Sequence, residues 1–202
     1  MPELQRRFTS VLERVLSGLA TVETEVAPDW LRRPGRDELG NAWMLAQHVY
    51  GQLTGNILPD VMPPRERRRV DLVLTYADGS RQIVEFDERQ HFTAARLTTL
   101  EVYDDSLPVG FDVSAWRDRC IRLQGREAGG GFAAPKPPLF PDAGGRHRQR
   151  AFRDFLADVL PPRYGWRPTV RFQDVEVAAL LSQNNADEAI SALWRQKPTF
   201  RI

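Results

Sequence analysis

The sequence contains very little cysteine and histidine, and each shortage excludes a class of site. Cys120 is the only cysteine among 202 residues, so neither a disulfide within the chain nor a cysteine-based zinc site can form. The three histidines, His48, His91 and His147, are too scattered along the chain to predict a histidine metal cluster. Carboxylate oxygens remain as candidate metal ligands, and these suit Mg²⁺ or Mn²⁺.

Net charge and long apolar runs are also lacking. The formal net charge is +1, which predicts no overall electrostatic attraction to a polyanion. Lys136 and Lys197 are the only lysines, so the basic residues are nearly all arginines, whose forked guanidinium groups suit phosphate contacts. No signal peptide and no long apolar run is present, and we therefore expect a soluble, cytoplasmic protein without a membrane partner.

The length of the chain favours a single domain, residues 1–202, and its first part is dominated by helical patterns. Apolar residues recur at helical spacing and predict N-terminal helices over residues 1–60. The first of these helices should run from Pro2 to Val22, and the second from Arg36 to Leu53. Two prolines between Ala27 and Gly35 predict a loop that separates them.

The second half of the chain alternates loop, strand and helix patterns. Glycine and proline dominate residues 125–145, which favours a flexible loop. Three side chains of this loop are candidates for gripping a substrate or a partner chain: Phe132, Lys136 and Phe140. Residues 116–123 fit either a helix or a strand. Residues 146–202 predict a basic helix, a short strand and further helices, so we expect an α/β fold with a small mixed sheet of about four strands flanked by helices.

Residues 66–92 contain two apolar runs around an Ala-Asp-Gly-Ser turn, which predicts a β-hairpin. A two-residue turn would leave Asp71 and Glu85 on opposite faces. A three-residue loop, Ala77 to Gly79, with the glycine in the left-handed conformation, pairs Asp71 directly with Glu85. We expect the second arrangement, because it also places Val70, Leu72, Leu74, Val84 and Phe86 on one face.

The three carboxylates of this hairpin, Asp71, Glu85 and Asp87, should then share the other face. Converging carboxylates repel one another unless a cation joins them, so we expect them to bind Mg²⁺ or Mn²⁺. Such a metal activates water and neutralises charge on a phosphate. His91, four residues past Asp87, is placed to transfer a proton, and Gln90 to hold the attacking water. The alternative is a solvated strand edge.

An aspartate at the start of one strand followed by Glu-x-Asp on the next resembles the PD-(D/E)XK nuclease fold. The finer pattern Val-Glu-Phe-Asp-x-x-Gln-His-Phe is similar to the Vsr-like branch, which contains the very-short-patch repair endonucleases. The chain departs from that branch at Glu88, where glycine is usual, and Asp87 occupies the place of the lysine of the broader superfamily. The resemblance covers residues 66–92 best and residues 146–177 more weakly.

This resemblance implies a restriction-endonuclease-like core and a metal-dependent DNA endonuclease that acts in repair, restriction or phage defence. It also makes Glu38 a candidate for an additional acidic residue, although the helix dipole alone explains an acid at that position. Five arginines are candidates for contacting nucleic acid: Arg67, Arg68, Arg69, Arg148 and Arg150. Plain solvation of these charges is the alternative. The second hypothesis for the whole chain is a non-cleaving module that binds nucleic acid or a partner protein in a larger complex.

Overall fold

The computed structural model describes residues 2–32, 34–63, 69–104 and 106–197, which form an α/β fold around one sheet. The four strands are β1 (Ala20–Val26), β2 (Val70–Tyr76), β3 (Arg81–Asp87) and β4 (Arg167–Gln173). The order across the sheet is β1-β2-β3-β4. The first two pairs are antiparallel and the last is parallel, so the predicted mixed sheet of four strands is confirmed.

Helices cover both faces of this sheet. Their bounds are α1 (Glu3–Val15), α2 (Asp29–Arg32), α3 (Arg36–Leu39), α4 (Trp43–Thr54), α5 (Ala94–Glu101), α6 (Val113–Leu123), α7 (Gly145–Val159), α8 (Asp174–Leu181) and α9 (Ala186–Gln196). Short 3₁₀ turns occur at Gly40–Ala42, Arg89–His91, Gly130–Phe132 and Pro161–Tyr164. The stretch that fitted either a helix or a strand is therefore helical, and Asp112 caps it by accepting hydrogen bonds from two backbone N–H groups.

The hairpin has the predicted register. Leu72 pairs with Val84 and Thr75 with Arg81, which leaves a loop between Tyr76 and Ser80. The glycine of that loop, Gly79, has a φ of +79°, a conformation that a residue with a Cβ adopts only at a cost. The same register, continued one step, places Asp71 opposite Glu85.

Two hydrophobic clusters lie on the two sides of the sheet. The smaller includes Phe8 of α1, which contacts the rings of Phe86 and Phe172 at centroid distances of 5.5 and 4.8 Å. The larger joins α4, α5 and α7 to the other face of the sheet. Val70 belongs to the larger cluster, which corrects its predicted place beside Leu72.

The N-terminal prediction was wrong in one respect, because residues 1–60 contain a strand as well as helices. Helix α1 ends at Val15, seven residues before the predicted end, and β1 begins at Ala20. Gly18, with a φ of +80°, lies between the two and redirects the chain. The following residues are rich in threonine and valine, which fit a half-buried strand better than a helix.

Residues 125–145, predicted to be a flexible loop, have a packed end in the structure. Leu139 and Phe140 are 5% and 1% exposed, and the hydroxyl of Tyr50 donates a hydrogen bond of 2.7 Å to the carbonyl of Leu139. Lys136 and Phe140 exchange backbone hydrogen bonds of 2.6 and 2.9 Å. Apolar side chains among the prolines therefore hold this segment against the core, and Phe140 is not available to grip a ligand.

Candidate functional site

A cleft of about 140 Å³ opens beside the carboxylates of the hairpin. Helix α7 forms its opposite wall. The residues that line it are Arg69, Asp71, Glu85, His91, Arg146, Arg150, Arg153 and Asp154. Three carboxylates, one imidazole and four guanidinium groups therefore meet in a single cavity.

Asp71 and Glu85 reach this cleft from neighbouring strands, as the hairpin register predicts. One carboxylate oxygen of Asp71 accepts a hydrogen bond of 2.8 Å from the backbone N–H of Phe86, which fixes the side chain across the strand pair. Glu85 is only 4% exposed. The structure thus brings together two of the three carboxylates that were predicted to bind a metal.

Asp87, the third, points into the protein interior and is 1% exposed. Its Oδ1 lies 2.8 Å from Nη1 of Arg171, and its Oδ2 accepts a hydrogen bond of 2.6 Å from the indole N–H of Trp116. Both oxygens therefore already have buried hydrogen-bond donors. Asp87 is not among the described residues that line the cleft.

His91 lies between Asp87 and a carboxylate that the sequence analysis did not identify. Its Nδ1 is 3.0 Å from Oδ2 of Asp154 on α7 and 3.4 Å from Oδ1 of Asp87. Burial lowers the pKa of His91, but the carboxylates of Asp154 and Asp87 outweigh this effect and raise the pKa above its ordinary value of 6.5. The arrangement holds the imidazole in one orientation and favours its protonated form.

A signal for Asp154 exists in the sequence. Arg150, Asp154 and Asp158 follow one another at intervals of four residues, so they share one face of α7. The prediction from the sequence for this segment was a basic helix, without a role for its acidic residues. Acidic residues on the same face as an arginine, on a helix that also carries core residues, indicate that this face makes polar contacts with the rest of the protein.

Behind the cleft, a buried ion network supports the histidine and its partners. Arg171 of β4 is 0% exposed and donates from Nε to Asp158 at 2.8 Å, as well as to Asp87. Its Nη2 donates to the backbone carbonyl of Asp154 at 3.1 Å. Asp158 also accepts a hydrogen bond of 2.7 Å from a second buried arginine, Arg96. Arg171 therefore contacts both residues whose carboxylates flank the imidazole.

The structure gives Gln90 a different setting from the predicted one. Its side-chain amide donates to the carboxylate of Glu88, and its backbone carbonyl accepts a hydrogen bond of 3.0 Å from Arg150. The side chain of Gln90 is not one of the described residues that line the cleft. Water positioning by Gln90 stays a prediction.

The predicted nucleic-acid contacts divide into three groups. Arg69 and Arg150 line the cleft, and Arg69 also forms an exposed ion pair with Glu25 at 3.2 Å. Arg148, predicted with them, is absent from the described lining of the cleft. Arg67 and Arg68 lie outside the described residues. Two further cleft arginines, Arg146 and Arg153, come from the same basic helix.

Glu38 lies away from this cleft. Its carboxylate accepts a hydrogen bond of 2.9 Å from the backbone N–H of Gly35, which caps the start of α3. It lines a second cavity together with Asp29, Asp37 and Asp60. The alternative explanation, an acid at a helix start, accounts for its position.

Two carboxylates of the cleft match the small set of protein ligands that Mg²⁺ needs. Within the described ranges, no group of three or more histidine, cysteine, aspartate or glutamate side chains is arranged to hold a metal. Mg²⁺, however, is commonly bound by one or two protein carboxylates and completes its octahedron with water and substrate phosphate oxygens. Asp71 and Glu85 match that smaller set.

No protein-family model matches the chain, and no curated protein or solved structure shows significant similarity to it. Among the helices of the described residues, none has both the length and the apolar character needed to cross a bilayer.

Proposed function

We propose that this protein is a metal-dependent endonuclease that hydrolyses phosphodiester bonds in DNA, with Mg²⁺ or Mn²⁺ as cofactor. The main support is the single cleft in which two carboxylates, a histidine–aspartate pair and four arginines lie together. Each group corresponds to one requirement of phosphodiester hydrolysis: a metal site, proton transfer and phosphate binding. The resemblance of residues 66–92 to the Vsr-like branch of PD-(D/E)XK nucleases adds DNA as the substrate.

The arginines would bind the substrate. Arg146, Arg150 and Arg153 lie on one side of the cleft and Arg69 on the other, so guanidinium groups flank the carboxylates. Guanidinium groups form paired, charge-assisted hydrogen bonds with phosphate oxygens. A phosphodiester would therefore be held between these side chains, against Asp71 and Glu85.

Asp71 and Glu85 would hold the cation, which would activate a water molecule and neutralise charge on the phosphate. Asp87 was predicted as a third ligand or as a group that orients water. We propose instead that Asp87 positions the ring of His91, because its oxygens are already bonded to Arg171 and Trp116 and its Oδ1 lies 3.4 Å from Nδ1 of His91. Two carboxylates suffice for Mg²⁺ when phosphate oxygens contribute the remaining ligands.

His91 would act as the general acid. Its raised pKa favours the imidazolium form, which can donate a proton to the leaving oxygen. Asp154 would stabilise that charge and hold the ring in place. The sequence is compatible with either a general acid or a general base at His91, and the carboxylate environment favours the acid.

The test is cleavage of supercoiled plasmid DNA with Mg²⁺ or Mn²⁺, comparing the wild type with Glu85→Gln. Glu13→Gln, an exposed glutamate on α1, is the matched control. We expect metal-dependent nicking or linearisation by the wild type and the control, and none by Glu85→Gln. Cleavage by Glu85→Gln at the wild-type rate would contradict the proposal. Cytoplasmic activity in restriction, phage defence or repair is the corresponding cellular role.

A non-cleaving module that binds nucleic acid or a partner protein is the second candidate. It is favoured by the buried ion pair of Asp87, which leaves only two of the three predicted metal-binding carboxylates in the cleft. Cleavage of nucleic acid distinguishes the two candidate functions. A well-folded wild type that binds DNA and cleaves neither plasmid, single strands nor RNA would support the module.

A further inference from the structure

Phe132 is an exposed aromatic residue beside the cleft. Its side chain is 45% exposed, although Phe140 of the same segment is buried. The guanidinium carbon of Arg150 lies 5.7 Å from the centre of its ring. Arg150 is itself one of the residues that line the cleft, so a single side chain connects the ring to the candidate site.

The turn that carries Phe132 is held by backbone hydrogen bonds within the turn and at its C-terminal end. Within the turn, the N–H of Phe132 donates to Gly129 at 3.2 Å. Just after it, the carbonyl of Ala133 accepts from Gly144 at 2.8 Å, and that of Ala134 accepts from Arg146 at 2.8 Å. The ring is therefore attached to the start of α7, the helix that forms the arginine wall of the cleft.

The surface around the ring is open. A Cβ atom built on Gly129 or Gly131 would meet no atom within 4 Å, so the backbone that leads to Phe132 faces open space. Arg150, in contrast, is held in place, because Nη1 donates to the backbone carbonyl of Gln90 at 3.0 Å. An exposed aromatic ring can stack on a nucleobase, and a fixed guanidinium group over the same ring can pair with the phosphate attached to that base.

We infer that Phe132 and Arg150 form a nucleobase subsite that receives an unpaired base next to the phosphate in the cleft. This inference rests on the proposed nuclease function and narrows its substrate to single-stranded or locally unpaired nucleic acid. Inside a duplex each base is already stacked on its neighbours, and it must leave the stack before it can lie on the ring. The ring accepts any base, because every base has a flat π face, so the subsite selects strand structure and not sequence.

The experiment measures binding without cleavage. Fluorescence anisotropy in EDTA compares a labelled single-stranded oligodeoxynucleotide with the duplex of the same sequence. The proteins are the wild type, Phe132→Ala, Phe132→Tyr and the control Ile121→Ala, which removes a side chain that is 55% exposed on α6. Thermal melting of each variant confirms that it is folded.

We expect Phe132→Ala to weaken single-strand binding by roughly 5- to 150-fold, the range for loss of one base-stacking contact. Phe132→Tyr should retain the wild-type affinity because it keeps the ring, and Ile121→Ala should bind as the wild type does. Duplex affinity should change by less than about twofold, since its bases cannot reach the ring.

Three results would overturn the inference. Unchanged single-strand affinity in Phe132→Ala would remove the subsite and leave the nuclease proposal standing. An equal loss for single strand and duplex would show that the ring supports a backbone contact and not a base. No binding of either oligonucleotide by the wild type would contradict the nuclease proposal together with the subsite.

Discussion

Replacement of Arg171 by methionine should destabilise the fold by about 3–5 kcal/mol, the range for removing one partner from a buried ion pair. Methionine has a similar length and no charge, so the packing volume changes little while the carboxylates around it lose their cation. Arg171 is 0% exposed and lies 2.8 Å from both Asp87 and Asp158. Each of these carboxylates is also at most 1% exposed, so water cannot replace the lost partner.

The upper part of that range is the better expectation for this site. Arg171 contacts two carboxylates and a backbone carbonyl, whereas a simple pair would leave one charge uncompensated. Arg96 and Trp116 remain as hydrogen-bond donors to Asp158 and Asp87 after the change, which limits the loss in the free energy of unfolding. Arg171→Lys should show an intermediate loss, because a single ammonium group cannot reach acceptors in three directions.

The assay is urea denaturation followed by tryptophan fluorescence, with the free energy of unfolding extrapolated to water. Arg14→Met is the matched control. Arg14 forms an ion pair of 2.7 Å with Asp187, but both side chains are at least 50% exposed, so its removal should leave stability close to that of the wild type. A loss below about 1 kcal/mol in Arg171→Met would refute the argument that the buried carboxylates depend on this arginine.

Three further predictions test other parts of the structure. Phe8→Ala should lower the free energy of unfolding by about 3–5 kcal/mol, because the 0% exposed ring packs between two others, and the same urea assay measures it. Asp154→Asn should lower the pKa of His91 in an NMR titration. A raised histidine pKa stabilises the fold below about pH 6.5, so this variant should lose the most stability in that acidic range. The loss should shrink as the pH rises through the pKa of His91 in the folded protein. An unchanged His91 titration would contradict this. Gly145→Ala should lower the melting temperature, because its Cβ would lie 2.2 Å from a backbone oxygen, whereas Gly129→Ala, with nothing within 4 Å, should not.

The hairpin shows how much of a site the sequence can determine. The position of Gly79 selects a three-residue loop, the loop sets the register, and the register places Asp71 opposite Glu85. Each step follows from local geometry, because side chains alternate along a strand and a glycine tolerates a positive φ. The register of the hairpin was predicted and is confirmed.

The acidic residue on α7 shows where the same reasoning stops. Asp154 is 67 residues beyond Asp87 in the sequence, and only the packing of α7 against the sheet brings it to His91. Arg171 gives a related example, because a charged residue between Val170 and Phe172 in a buried strand indicates a buried partner without identifying that partner. Pairing across such separations depends on tertiary contacts that no local pattern encodes.

The difference between Glu85 and Asp87 follows from the strand that lies beside them. Both side chains point to the same face of β3, so the alternation of the strand treats them alike. The parallel neighbour β4 places Arg171 next to Glu85 in register, and its side chain extends along the sheet to bond with Asp87. One carboxylate is thereby committed to the interior while the other faces the cleft.

The ion pair between Asp87 and Arg171 affects whether the proposed metal site would have two carboxylates or three. For Asp87 to become a metal ligand, its carboxylate would have to separate from Arg171. The buried guanidinium group would then lack one of its partners, at a cost of several kcal/mol. A cation held by Asp71 and Glu85 would leave the ion pair between Asp87 and Arg171 intact, and both Asp71 and Glu85 line the cleft. Asp87 would then hold the ring of His91 in place, and Asp71 and Glu85 would supply the metal ligands. The energetic comparison therefore favours the smaller ligand set for the proposed metal site, which phosphate oxygens of the proposed substrate would complete.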